Sequence, residues 1–140
     1  MADSRSWTDT AVATAGAAHV RTDDGELAVD LASPLVPQGS GLTPEQLLAA
    51  AFAACLHHAA VEAATDITDE AHTVEVRAEA RLARGADSRY RADVRASVGA
   101  VGLSREQLAD LAERSERLWP FSPGDGQFSL TVAPAQHSER

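Results

Sequence analysis

Between Thr43 and Cys55 the chain reads TPEQLLAAAFAAC, and from Leu47 to Ala60 every residue except two histidines is apolar or cysteine. A run this long, rich in Ala and Leu and free of turn formers, predicts one long α-helix. Thr43 is placed to cap it with Gln46 three residues on, Pro44 suits the first helical position, and the next stop signal is Thr65-Asp66. A helix that is apolar all round should be enclosed by protein. It reads as too short and too alanine-rich for a bilayer span, and its alanines permit close approach by a neighbouring element, including the same helix of a second copy. The only cysteine of the chain lies inside it.

What surrounds that helix follows from alternation. Short β-prone runs occupy Trp7 to Thr14 and Ala17 to Arg21, Asp24-Gly25 marks a tight turn, and Leu27, Val29 and Leu31 share one face of a third run. Beyond the helix, Val74, Val76, Ala78, Ala80 and Leu82 alternate with charged or polar residues, as do Tyr90, Ala92, Val94, Ala96 and Val98, about a turn at Gly85-Ser88. Ser104 and Gln107 form a capping box for a second helix with Leu103 as its staple, and Leu108, Leu111, Ala112 and Leu118 as its apolar stripe. Phe128, Leu130 and Val132 make a last strand. The order β-β-β-α-β-β-α-β predicts an α+β fold with antiparallel sheets around a buried central helix, forming one domain over residues 1–140. The apolar helix asks for more cover than one small sheet provides, which predicts a homodimer.

The net charge of −9 and pI near 4.9 argue against a nucleic-acid partner. Arginines on the Val74–Val98 hairpin alternate with Glu75, Glu79 and Asp93, so ion pairing on a solvated face accounts for them. One cysteine cannot form an internal disulfide, and a polar N-terminus without an apolar run points to the cytoplasm and to no membrane partner.

Thiol chemistry runs through the thiolate, which needs a cation, a helix N-terminus or a polar partner to lower its pKa. Cys55 lies about ten residues into the helix, roughly 15 Å from its positive end, so the helix alone does not activate it. His58, one turn on, and Glu62, a further turn on, share its face, whereas His57 points elsewhere. Glu45 is also about 15 Å away along the axis, too far for contact within one helix. The bland alternatives are a small inert core cysteine, two hydrogen-bonded histidines and a helix-start carboxylate. A metal site from Cys55, His58 and Glu62 lacks a second cysteine or a spaced histidine cluster, and no metal or cofactor is expected.

The segment Pro44 to Cys55 resembles the reactive-cysteine helix of the organic hydroperoxide resistance and osmotically inducible (Ohr/OsmC) family, and Trp119-Pro120-Phe121-Ser122 resembles that family's Cys-Pro-Tyr-Ser. The resemblance implies an intertwined homodimer with two sites at the subunit interface. It implies reduction of organic hydroperoxides to alcohols, with dithiols regenerating the enzyme. Carried over, Cys55 is the peroxide-attacking thiol, Glu45 the carboxylate that orients an activating arginine, and Phe52, Trp119 and Phe121 the substrate pocket. Two departures matter. Trp119 stands where the family has its second cysteine, and the arginine position falls near Ala17 or Ala18, leaving His19 and Arg21 as the nearest substitutes. A sulfenic acid at Cys55 must then be met by an external thiol. The competing reading is a non-catalytic relative that binds a small hydrophobic molecule in an apolar interface pocket, with Trp119 filling the lost cysteine's space.

Overall fold

The computed structural model describes residues 6, 8–32, 41–118 and 128–135. The chain forms two compact units, Met1–Pro44 and Glu45–Arg140. Six strands and two helices follow in the expected order: β1 (Ala13–Gly16), β2 (His19–Thr22), β3 (Ala28–Asp30), α1 (Pro44–Ala64), β4 (Glu75–Arg84), β5 (Tyr90–Gly99), α2 (Arg105–Leu118) and β6 (Phe128–Pro134), with one 3₁₀ turn at Ala71–Thr73.

In the first unit β1, β2 and β3 form an antiparallel meander in which Ala13 pairs with Thr22 and His19 with Asp30. The first strand starts at Ala13, later than expected. The reason lies in the register: β2 is four residues long and can pair only four residues of β1. Ala17 and Ala18 make the turn at φ of 53° and 59°, a left-handed conformation that costs roughly 1–2 kcal/mol per non-glycine residue. The Asp24-Gly25 turn is present as expected, with Gly25 at φ 75°. At the end of the unit Leu31 and Leu42 form a parallel bridge. Gly41 sits so close behind it, at φ 145°, that a Cβ would lie 2.7 Å from the Leu31 carbonyl carbon.

In the second unit β4 and β5 pair antiparallel over their whole length, Glu75 against Gly99 through Arg84 against Tyr90. β5 and β6 pair in parallel, which corrects the expectation of antiparallel sheets: the sheet is mixed. The physical reason is α2, which supplies the crossover that a parallel neighbour requires and packs against both strands. The capping box closes reciprocally, the Ser104 N–H donating to Gln107 Oε1 at 2.9 Å and the Gln107 N–H to Ser104 Oγ at 3.1 Å. Leu108, Leu111, Ala112 and Ser115 are the buried face of α2. Leu118, expected there, is 47% exposed, and Ser115 continues the stripe, its hydroxyl satisfied by the Leu111 carbonyl at 2.7 Å.

One buried cluster joins Ala60, Ala63 and Ala64 of α1 to Val74, Val98, Leu103, Leu108, Leu111 and Ala112. It holds only the C-terminal half of α1. Phe52, Leu56 and Ala59 extend the buried stripe, whereas Ala50, Ala51 and Ala54 are exposed. Enclosure of the helix is therefore partial within the single chain. At 21 residues and a mean hydropathy of 1.5, α1 is also long and apolar enough to cross a bilayer, so the expectation that it is too short does not hold. What ties it to protein is the packing of its last two turns into the cluster around Leu111.

Candidate functional site

Cys55 sits on the flank of the buried stripe of α1. Phe52 lies one turn before it and Ala59 one turn after, both buried, while Cys55 itself is half-buried. It faces neither bulk water nor the close-packed core. Partial burial pushes its thiol above the ordinary range, with desolvation as the cause. In this environment the neutral thiol is favoured, and a nucleophilic role requires a cation that restores the thiolate.

Of the predicted helpers on α1, His58 and Glu62 occupy positions three and seven residues beyond Cys55 and are exposed, as is His57. Glu45 is half-buried in the first turn, at the positive end of the helix dipole. Phe52 is 7% exposed, so it belongs to the core side of the stripe and not to an open surface. Among the described residues no group of three His, Cys, Asp or Glu side chains is placed to hold a metal ion. Trp119 and Phe121 lie outside the described residues.

His19 and Arg21 lie on β2 of the first unit, two residues apart and so on one face of the strand. His19 faces Asp30 across the β2–β3 ladder, its Nδ1 3.2 Å from the carboxylate. Asp30 was not among the expected residues. Nothing short of the strand register, which depends on the Asp24-Gly25 turn, would have brought it opposite His19. Arg21 is exposed.

A cleft of about 220 Å³ opens on the charged face of β4 and β5, lined by Arg77, Glu79, Arg95, Ala96 and Ser97. It contains none of the expected site residues. Its lining mixes apolar surface with the charged groups of Arg77, Glu79 and Arg95, unlike the predominantly apolar pocket that a hydrophobic ligand would need.

The family profile described as OsmC-like protein matches residues 37–123, the stretch that carries α1, the β4–β5 hairpin and α2. The organic hydroperoxide resistance protein OhrB of Bacillus subtilis is 30% identical over 113 residues, 76% of this chain and 79% of that protein. Its crystal structure superposes with a TM-score of 0.67 at 26% identity, covering 90% of this chain and 98% of the other. An organic hydroperoxide resistance protein from Legionella pneumophila superposes with a TM-score of 0.71 at 30% identity, covering 91% and 97%.

Proposed function

The chain belongs to the OsmC-like family, and from that premise we propose that it reduces organic hydroperoxides at Cys55, as a cytoplasmic homodimer that draws on external thiols. The observation that carries this reading is the placement of the sole cysteine, half-buried at mid-helix within the matched region and beside an apolar stripe. The Cys55 thiolate attacks one peroxide oxygen, the O–O bond breaks, and the other oxygen leaves as an alcohol after taking a proton. The sulfur is left as a sulfenic acid, oxidised by two electrons. A small thiol or dithiol then forms a mixed disulfide with Cys55 and releases water. A second thiol releases Cys55 by exchange. With one cysteine in the chain, both reducing thiols come from outside it.

The exposed alanines of α1, Ala50, Ala51 and Ala54, support the homodimer, because an apolar helix surface of this kind is stabilised by cover from a second copy.

The test is intact-mass analysis after one equivalent of cumene hydroperoxide with dimedone present, beside a Cys55→Ser control. One dimedone adduct on the wild type and none on the control is the expected result. A thiol that survives excess peroxide overturns the enzymatic reading. It would favour the second reading, a non-catalytic relative that binds a small hydrophobic molecule, whose lack of catalysis fits the raised thiol pKa of Cys55.

A further inference from the structure

The end of the β4–β5 hairpin has a composition unlike the rest of the molecule. Residues 83–91, closed by the cross-strand pair Ala83–Arg91, hold Arg84, Arg89 and Arg91 against Asp87 alone, a net charge of +2, which leaves −11 for the remainder of a chain whose total is −9. The same segment carries Tyr90, the only tyrosine of the chain and 68% exposed, making it the most exposed of the large apolar side chains among the described residues. The Arg84 guanidinium lies over the Tyr90 ring, 5.8 Å from its centroid.

This end is a built structure. The Gly85 N–H donates to the Arg89 carbonyl at 2.9 Å, the Ser88 N–H to the Gly85 carbonyl at 3.0 Å, and the Arg89 N–H to Asp87 Oδ1 at 3.1 Å. Arg84 Nε donates to the Ser88 carbonyl at 3.3 Å, and Arg91 pairs with Asp87 at 3.2 Å. Asp87, the one carboxylate, is thereby engaged by Arg91 and the backbone. The cations Arg84 and Arg89 stay outward on an exposed surface.

We propose that this basic, tyrosine-bearing hairpin end is a docking site for an anionic phospholipid surface. Three considerations select a membrane over other acidic partners. An isolated turn is too small for a specific protein interface, which needs about 800 Å² per partner. A nucleic acid wraps its phosphates along a protein and would meet the −11 elsewhere on the chain. A bilayer surface accepts a point contact in which arginines meet phosphate headgroups and a tyrosine ring sits at headgroup level. Screening makes this compatible with an acidic protein. Strands of ten residues extend about 33 Å, while the Debye length at physiological salt is about 8 Å, so a carboxylate at the far end of the hairpin, such as Glu75 opposite Gly99, lies beyond its range.

Flotation of the full chain with phosphatidylglycerol–phosphatidylcholine vesicles tests the proposal. Binding is expected at low and physiological salt, falling as salt rises, and absent with phosphatidylcholine alone. The Arg84→Gln, Arg89→Gln double variant, whose changes lie on exposed side chains, is expected to bind about thirty-fold more weakly, the equivalent of about 1 kcal/mol for each arginine. Tyr90→Ala should weaken binding several-fold with an unchanged salt dependence. Absence of binding to the anionic vesicles overturns the proposal, as does equal binding by the double variant. Capture of the hairpin by polyglutamate or duplex DNA as strongly as by vesicles would also overturn it and assign the site to acidic polymers. No peroxide is present in this assay, so its outcome is independent of the chemistry at Cys55.

Discussion

Cys55 holds its proton because water is partly withdrawn from the sulfur. The unfolded chain releases this proton at a lower pH than the folded one, so above the ordinary thiol range the unfolded state binds fewer protons and is favoured. The stabilising contribution is complete below the unfolded pKa and is lost as pH rises through the folded one. Urea unfolding of wild type and Cys55→Ser should therefore diverge in alkaline solution, with the wild type losing stability faster. Alkylation of Cys55 by iodoacetamide should show a midpoint above that of a free thiol. Asp24 shows the opposite case. The Thr22 hydroxyl donates to its carboxylate at 2.6 Å and the Glu26 N–H at 3.0 Å, and these bonds hold its pKa below the usual carboxylate range. In Thr22→Val the Asp24 pKa should rise toward the ordinary value, read by carboxyl NMR titration. Both residues were visible in the sequence, Cys55 as the sole thiol and Asp24 as a turn former. Their proton affinities were not, because these depend on what folds around them.

Among the elements, α2 was the most legible. Its start is written in the spacing of Ser104, Gln107, Leu103 and Leu108, and both Leu103 and Leu108 are buried, at 4% and 5% exposure. Ser104→Ala should cost about 1 kcal/mol in denaturant unfolding, with Ser104→Gly costing a few tenths, since the loss is that of one cap. Where reading stopped is equally physical. Ser115 falls on the buried face at seven residues from Leu108, but a hydroxyl carries no apolar signal, and its partner is a backbone carbonyl of its own helix. Strand direction leaves no mark on alternation, so the parallel pairing of β5 with β6 was not readable from Phe128, Leu130 and Val132, whereas the antiparallel hairpin was readable from its turn.

For the whole molecule, the α+β order and the resemblance carried by Pro44 to Cys55 were enough to reach the fold, which the likeness to the Legionella pneumophila protein supports at a TM-score of 0.71. Of the candidate site residues, the sequence singles out Cys55 as the sole thiol. His19 and Arg21 are on the first unit and Cys55 and Glu45 on the second, and no periodicity in a sequence relates side chains so far apart in the chain. Assembly is testable at this scale. Ala54 is exposed on α1, away from the buried stripe. If a second copy covers it, Ala54→Glu should shift the protein to a monomer in sedimentation equilibrium, with helix content by circular dichroism unchanged. A monomeric wild type at micromolar concentration would remove the premise.

The solitary sulfur on α1 also makes the molecule its own reporter. A nitroxide attached by disulfide chemistry goes to one position without any engineered substitution, because the chain has a single cysteine. If two copies associate, the tags yield one interspin distance, and pulsed dipolar spectroscopy on the unaltered polypeptide would measure how far apart the mid-points of the two long helices stand.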